Sequence, residues 1–240
     1  MSLSDLFKTQ EGKDVEFNEA FILALVHRLR TPLNGARWAL DYFMNSRDSD
    51  TSRKILHQGH DEIVNAINMV GEILKISEIN SKDGTVDLNR IKIDLRDVVD
   101  RILEELGYLI NKKEIKLEYN RPNEPIYVSG DAEVLNIGLT NLFDNAFRYS
   151  PRGVVKISVE RDGDIAKLII KDNGIGIDKN DLKHIFQKFY RGKNAKIIDP
   201  NQSGIGLYTT KKIIEVHGGE ISLKSVLNQG TEMDVSLPID

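Results

Sequence analysis

The strongest constraint in this chain is a seven-residue apolar repeat carried by two consecutive stretches. Between Phe17 and Met44, Ile22, Leu29, Ala36 and Phe43 recur every seven residues, and Leu25, Leu33 and Leu40 fill the adjacent stripe. That spacing places them on one side of a helix. Asn45-Ser-Arg-Asp-Ser-Asp50 is a polar break with N-cap candidates in Ser49 and Asp50. A second helix is predicted to run to about Ile79, with Leu56, Ile63 and Val70 on one seven-residue spacing and Ile67 and Leu74 beside them. Two long antiparallel helices joined by a short loop make a hairpin. A lone hairpin cannot bury a long stripe on each helix, so the expectation is a homodimer in which two hairpins form a four-helix bundle.

After this the periodicity changes. Residues 1–16 read as a polar tail, 17–80 as the hairpin domain, 81–90 as a linker containing Ser81-Lys-Asp-Gly-Thr85, and 91–240 as a second domain. In the second domain Leu95–Leu109 reads as an amphipathic helix, Glu114–Tyr119 as a strand and Asp131–Tyr149 as a longer helix. Val154–Glu160 and Ile165–Lys171 alternate as strands around the turn Arg161–Asp164. A helix from about Gly206 to Val216 and strands at Glu220–Leu227 and Thr231–Leu237 close the chain. The fold class expected is α+β, an antiparallel-rich sheet with helices on one face.

Composition narrows the function classes. With 240 residues, net charge −4 and no cysteine, the chain lacks the basic surplus of a nucleic-acid binder and cannot build a disulfide scaffold, thiolate metal site or cysteine nucleophile. No apolar run approaches the roughly 18 residues of a membrane span, and no signal-peptide pattern opens the chain. A cytoplasmic location is expected, for an isolated protein or for the cytoplasmic portion of a longer sensor.

Four residue groups carry chemistry. His27 falls on the side of its helix away from the apolar stripe, and five residues later Pro32 removes a backbone hydrogen bond from an otherwise helical pattern. An exposed imidazole there can act as a nucleophile toward a phosphoryl group. Asn141 and Asn145 are four apart on one helical face, where their amide oxygens suit a Mg²⁺ shared with phosphates and water. Arg148 lies within reach of the same phosphates, and Tyr149 can stack on a base. Asp172-Asn-Gly174-Ile-Gly176 follows a predicted strand: the glycines permit close backbone approach, and the carboxylate can accept from an exocyclic amine. Ser203-Gly204-Ile-Gly206-Leu207 opens a helix whose N–H groups favour an anion. Between the last two groups, Lys183, Lys188, Arg191, Lys193 and Lys196 suggest a basic lid over polyphosphate.

Taken together these segments resemble the sensor histidine kinases of two-component signalling. His27-Arg-Leu-Arg-Thr-Pro-Leu33 looks like the family's phospho-acceptor box, Asn141–Asn145 its N box, and Asp172–Gly176 its first glycine box. Phe186-Gln-Lys-Phe-Tyr190-Arg191 resembles the F box and Ser203–Leu207 the second glycine box, all in the family's order over residues 17–237. The resemblance implies a dimerisation and phosphotransfer hairpin followed by a Bergerat-type ATP-binding α/β sandwich. It implies ATP and Mg²⁺ as cofactors, His27 as phospho-acceptor, and an aspartate on a response-regulator receiver domain as the next acceptor. Asn141 and Asn145 would hold the metal. Asp172 would read the adenine amino group, and Gly174 and Gly176 would shape the floor. Ser203, Gly204, Gly206 and Leu207 would form the phosphate end, with Arg191 at the terminal phosphate. Thr31, one turn past His27, matches the position associated with dephosphorylating the regulator.

Two positions depart from the family pattern. Arg28 stands where an acidic residue usually follows the histidine, and a cation there favours the neutral imidazole while offering no base. Gln202 stands where the second glycine box often begins with glycine. Two other readings share the sequence. One is a degenerate kinase serving as a dimeric scaffold. The other is an ATPase of the same fold, but its water-activating glutamate would stand at Asn141, which cannot act as a general base.

Overall fold

The structure, a computed structural model, describes residues 19–45, 49–79, 88–199 and 202–240. It divides near Ile67 into a helical unit and a larger mixed one. Helix α1 spans Glu19–Asn45 and runs on through Pro32, and α2 spans Ser49–Ile79. Their contact is made by small residues. Ala36 and Ala39 are buried, and a Cβ on Gly59 of α2 would come 2.6 Å from the Ala39 Cβ. This pairing buries only part of the seven-residue stripes: Leu33, Leu40 and Phe43 of α1 and Ile63 and Ile67 of α2 stay exposed. The side chains of Ile22, Leu25, His27, Arg28, Thr31 and Leu74 lie outside the described residues.

The mixed unit is built on a five-stranded sheet of β2 (Lys116–Asn120), β4 (Val154–Asp162), β5 (Ile165–Asp172), β6 (Glu220–Val226) and β7 (Gly230–Pro238). The order is β2-β4-β5-β7-β6, with β2–β4 parallel and the other neighbours antiparallel. Alternation sets the layers. Val155, Ile157 and Val159, then Ala166, Leu168 and Ile170, then Met233, Val235 and Leu237 are all buried, while Lys156 and Lys171 between them are exposed. The buried face carries α3 (Leu95–Glu105), α5 (Ala132–Arg148) and α7 (Gly206–Val216), whose Val99, Ile102, Leu139, Phe143, Phe147 and Ile213 complete one core. Helices α5 and α7 approach closely at Gly138, where a Cβ would meet Ile213 at 3.0 Å and the Thr210 hydroxyl donates to the Gly138 carbonyl at 2.8 Å.

Three details differ from the sequence expectation. The helix expected over Leu95–Leu109 is two: α3 ends at Glu105, and a short α4 (Gly107–Lys112) follows a break at Leu106, where Gly107 is a weak helix former. A two-stranded antiparallel sheet, β1 (Ile91–Asp94) with β3 (Tyr127–Gly130), was not expected, because four-residue strands carry too little alternation to stand out. The basic stretch contains a helical turn, α6 (Lys193–Ile198). Of the segment expected as a linker, 81–90, residues 81–87 lie outside the described residues. Leu88 packs on the core, and the Arg90 guanidinium donates to the Val216 carbonyl at 2.7 Å.

The entry to α5 is fixed by a buried histidine. Asp131 caps the helix, accepting from the N–H groups of Glu133 and Val134 at 3.1 Å. The Asp131 N–H donates to His217 Nε2 at 3.0 Å, and His217 Nδ1 donates to the Ile213 carbonyl at 2.7 Å. Accepting at Nε2 requires the neutral ring with its proton on Nδ1, and a Cβ on Gly130 would clash with the ring at 2.5 Å. Burial pushes the His217 pKa below its ordinary value of 6.5. Below that value the unfolded chain binds a proton that the folded chain resists, so this contribution to stability is complete above pH 6.5 and is lost as pH falls. The melting temperature of the native chain is therefore expected to drop more steeply as pH falls below about 6.5 than that of His217→Gln. Parallel profiles in thermal denaturation would refute the assignment.

Candidate functional site

The C-terminal half of α5 presents two faces. Leu139, Leu142, Phe143 and Phe147 enter the core, while Asn141, Asp144 and Asn145 line a cavity of about 320 Å³. Their spacing of three and four residues stacks the three polar side chains along one edge of the helix. A buried nitrogen of the Asn141 amide, Nδ2, has no hydrogen-bond partner. A rotated amide presents oxygen at the same place. An unsatisfied amide one turn from a second asparagine is a donor set that fits Mg²⁺, a hard cation taking neutral oxygens alongside phosphates.

Asp172, the last residue of β5, forms the opposite wall. It is 7% exposed, and its Oδ1 accepts from the N–H groups of Gly174 at 2.8 Å and Thr231 at 3.2 Å. Both backbone donors reach Oδ1, so neither of them occupies Oδ2. Burial raises its carboxyl above the ordinary range, and the Gly174 N–H, the Ser150 hydroxyl and the Thr231 N–H pull it back. Apolar Ile175, Leu223 and Met233 line the same cavity beside it, giving a flat ring an apolar surface and one polar contact.

The first glycine loop is held by close approach. A Cβ on Gly174 would come 2.2 Å from the Tyr149 carbonyl, and one on Gly176, at φ +60°, 2.0 Å from the Val226 carbonyl. Gly176 lines the cavity; Gly174 instead seats the loop on the end of α5, where the Ile175 N–H donates to the Tyr149 carbonyl at 3.1 Å. At the other end Ser203, Gly204, Gly206 and Leu207 all line the cavity. Gly204, at φ +72°, crosses under Tyr190 and Arg191, where a Cβ would meet the Tyr190 carbonyl at 2.9 Å. Helix α7 starts there with no side-chain cap, so its first N–H groups are open to an anion.

The basic segment divides. Arg191 and Lys193 line the cavity, as does Tyr149, whereas Lys183, Lys188 and Lys196 are exposed elsewhere. Arg191 donates from Nη1 to the Gln202 carbonyl at 3.0 Å and from Nη2 to the carbonyls of Ala195, at 3.0 Å, and Asp199. Arg148 does not line the cavity: its guanidinium forks onto Asp144 at 3.0 and 2.8 Å and reaches Asp199 at 2.7 Å. Asp144 and Thr231 belong to the site but were not singled out from sequence. Asp144 had a signal in its position three residues after Asn141; Thr231 had none, since only the β5–β7 pairing brings it to Asp172. His27 and Thr31 lie in α1 of the helical unit, their side chains outside the described residues.

Comparison with known proteins places this arrangement. Residues 130–240 match the family model of the histidine kinase-, DNA gyrase B-, and HSP90-like ATPase. The chain is 30% identical over 234 residues to the sensor histidine kinase WalK of Bacillus subtilis (strain 168), covering 95% of this chain and 38% of that protein. It is 27% identical over 220 residues to the sensor-like histidine kinase SenX3 of Mycolicibacterium smegmatis, covering 91% of this chain and 56% of the relative. The chain thus spans between about a third and a little over half of these relatives. Among solved structures, a mycobacterial sensor histidine kinase, MprB, is 28% identical with a TM-score of 0.53, over 62% of this chain and 97% of that one. Acinetobacter baumannii histidine kinase AdeS shares the fold at 22% identity and a TM-score of 0.67, over 89% and 98%. The histidine kinase ThkA in complex with response regulator protein TrrA does so at 20% identity and a TM-score of 0.71, over 93% and 62%. Residues 130–240 therefore match a histidine kinase-, DNA gyrase B- and HSP90-like ATPase domain, and over nearly its whole length the chain is similar to the catalytic core of two-component sensor histidine kinases.

Proposed function

We propose that the chain is an ATP-dependent protein-histidine kinase that phosphorylates His27 and passes the phosphoryl group to an aspartate of a response-regulator receiver domain. The observation that carries this reading is the cavity of the mixed unit. It combines a buried acceptor for an exocyclic amine at Asp172, a metal-competent asparagine pair, and a glycine loop at a helix N-terminus. In one step an imidazole nitrogen of His27 attacks the γ-phosphorus of ATP. The bond to the β,γ-bridging oxygen breaks, ADP leaves with the electron pair, and the ring proton passes to solvent. In the next step a receiver carboxylate oxygen takes the phosphoryl group as the N–P bond breaks, and the imidazole regains a proton. Thr31 is the residue assigned to an opposing activity, hydrolysis of the regulator's aspartyl phosphate, in which water takes the phosphoryl group and inorganic phosphate leaves.

Within the site, Asp172 accepts from the adenine amino group through Oδ2, Tyr149 flanks the base, and Gly176 lets the ring approach the backbone. The phosphates face the N-terminus of α7 and the loop Ser203–Leu207, with Arg191 at the cavity wall and Arg148 behind it, held by Asp144 and Asp199. Asn141 and Asn145 would hold a Mg²⁺ ion, which neutralises charge on the transferring phosphate. Asn141 has no carboxylate with which to activate water, which favours transfer over hydrolysis.

Dimerisation belongs to the same reading. The exposed Leu33, Leu40, Phe43, Ile63 and Ile67 are an apolar surface that a second hairpin would bury.

Three outcomes are expected. Incubation with γ-labelled ATP gives acid-labile label on the native chain and none on His27→Gln; free phosphate without protein label would identify an ATPase instead. Asp172→Asn sets an amide N–H against the adenine amine and lowers ATP affinity in calorimetry by about tenfold or more. Light scattering shows a dimer for the native chain and a monomer for Leu40→Glu, since a charge in that face is left unpaired on association.

A further inference from the structure

Two arginines, one of them lining the cavity, meet on one residue, Asp199. Arg148, at the end of α5, uses Nε and Nη2 for the Asp144 carboxylate and Nη1 for Asp199 Oδ2 at 2.7 Å. Arg191 donates from Nη2 to the Asp199 carbonyl. Asp199 is the C-cap of α6, so this one residue ties that helical turn to α5 through its side chain and to Arg191 through its backbone. The pair is well screened from water, at 25% exposure for Arg148 and 19% for Asp199, which strengthens its attraction relative to a surface ion pair.

The two carboxylates on Arg148 are not equivalent. Asp144 stands four residues before Arg148 on the same helix and is held there by the helix itself. Asp199 arrives from 51 residues away, in a segment that Arg191 also ties together through the carbonyls of Gln202 and Ala195. A guanidinium has five N–H donors in a fixed plane, and here three of its edge positions face carboxylates. A third anion entering from the cavity can gain Arg148 by displacing Asp199 far more readily than by displacing Asp144. Asp144, the helical partner of Arg148, lines the cavity together with Lys193 and Arg191, which places the Arg148–Asp199 pair one side chain behind the cavity wall.

We infer that Asp199 is a positioning residue that competes with the terminal phosphate of a nucleoside triphosphate for Arg148. The charge of the ligand, and not its base, then decides whether α6 stays fastened to α5. This rests on the nucleotide reading above and adds to it a residue that sets discrimination by phosphate number. Adenosine leaves the Arg148–Asp199 pair intact. A triphosphate must break it, and its affinity includes that cost.

The test measures binding of adenosine, ATP and inorganic tripolyphosphate to the full chain by calorimetry, in native protein, Asp199→Asn, Asp199→Glu and Asp199→Asn combined with Arg148→Gln. Asp199→Asn is expected to bind ATP and tripolyphosphate about tenfold more tightly while adenosine binding is unchanged. Asp199→Glu restores the native ratio, and the gain disappears when Arg148 is replaced. The inference is overturned by equal shifts for adenosine and ATP, by no shift, or by a gain that survives loss of Arg148. Absent adenosine binding with the tripolyphosphate pattern intact would sink the nucleotide reading and leave the Asp199 competition standing. Native ATP binding with no response to Asp199→Asn would do the reverse.

Discussion

The site depends on how closely α5 can be approached from three sides. Gly138 lets Ile213 of α7 within 3.0 Å of where a Cβ would stand, Gly206 brings the start of α7 to the Asn141 side chain, and Gly174 lies against the Tyr149 carbonyl. None of these contacts tolerates a side chain on the glycine without movement. The core holds α5 from beneath through Leu139, Leu142, Phe143 and Phe147, all fully buried. With one face locked, the register of the helix is fixed, and Asn141, Asp144 and Asn145 have no choice but to line the cavity. At the N-terminal end the neutral His217 and the Asp131 cap hold the same helix, so its placement is determined at both termini.

The electrostatics of the cavity run from one end to the other. At Asp172 the environment is apolar and a single carboxylate is held by two backbone N–H groups, an arrangement that recognises a neutral donor. At the far end cations and anions alternate: Arg148 between Asp144 and Asp199, and Arg191 among carbonyls of the segment it organises. A ligand with an amine at one end and several negative charges at the other matches both. The arginines are already partnered, so binding is an exchange of ionic contacts, and net affinity is a difference between two similar quantities.

Local patterns were readable where period and chemistry agreed. The helix expected over Asp131–Tyr149 is α5 with those two residues as its caps, and Gly206–Val216 is α7 as expected, since each begins at a distinct signal. The β4–β5 hairpin follows from strict alternation and the φ of +61° at Gly163. The break at Leu106 and the short β1–β3 sheet were not readable, because each depends on contacts across the fold. Asp172, Gly176 and Ser203–Leu207 could be singled out because glycines and a lone carboxylate at a strand end are unusual in a core. Arg148 could be named, but not its partners.

What the sequence determined by itself is the kind of elements and the chemical types available: a two-helix apolar repeat with a histidine beside it, an asparagine pair, two glycine loops. Those are set by spacing, and spacing is a property of the chain. The tertiary structure decided which of these meet and in what ionic state. It placed Thr231 on Asp172, a pairing 59 residues apart, and turned Arg148 toward Asp199, 51 residues away. It also left described residues of the seven-residue stripes exposed on a hairpin whose helices approach each other at Ala39 and Gly59. Long-range pairing and burial fix these outcomes, and neither is encoded in any short segment of the chain.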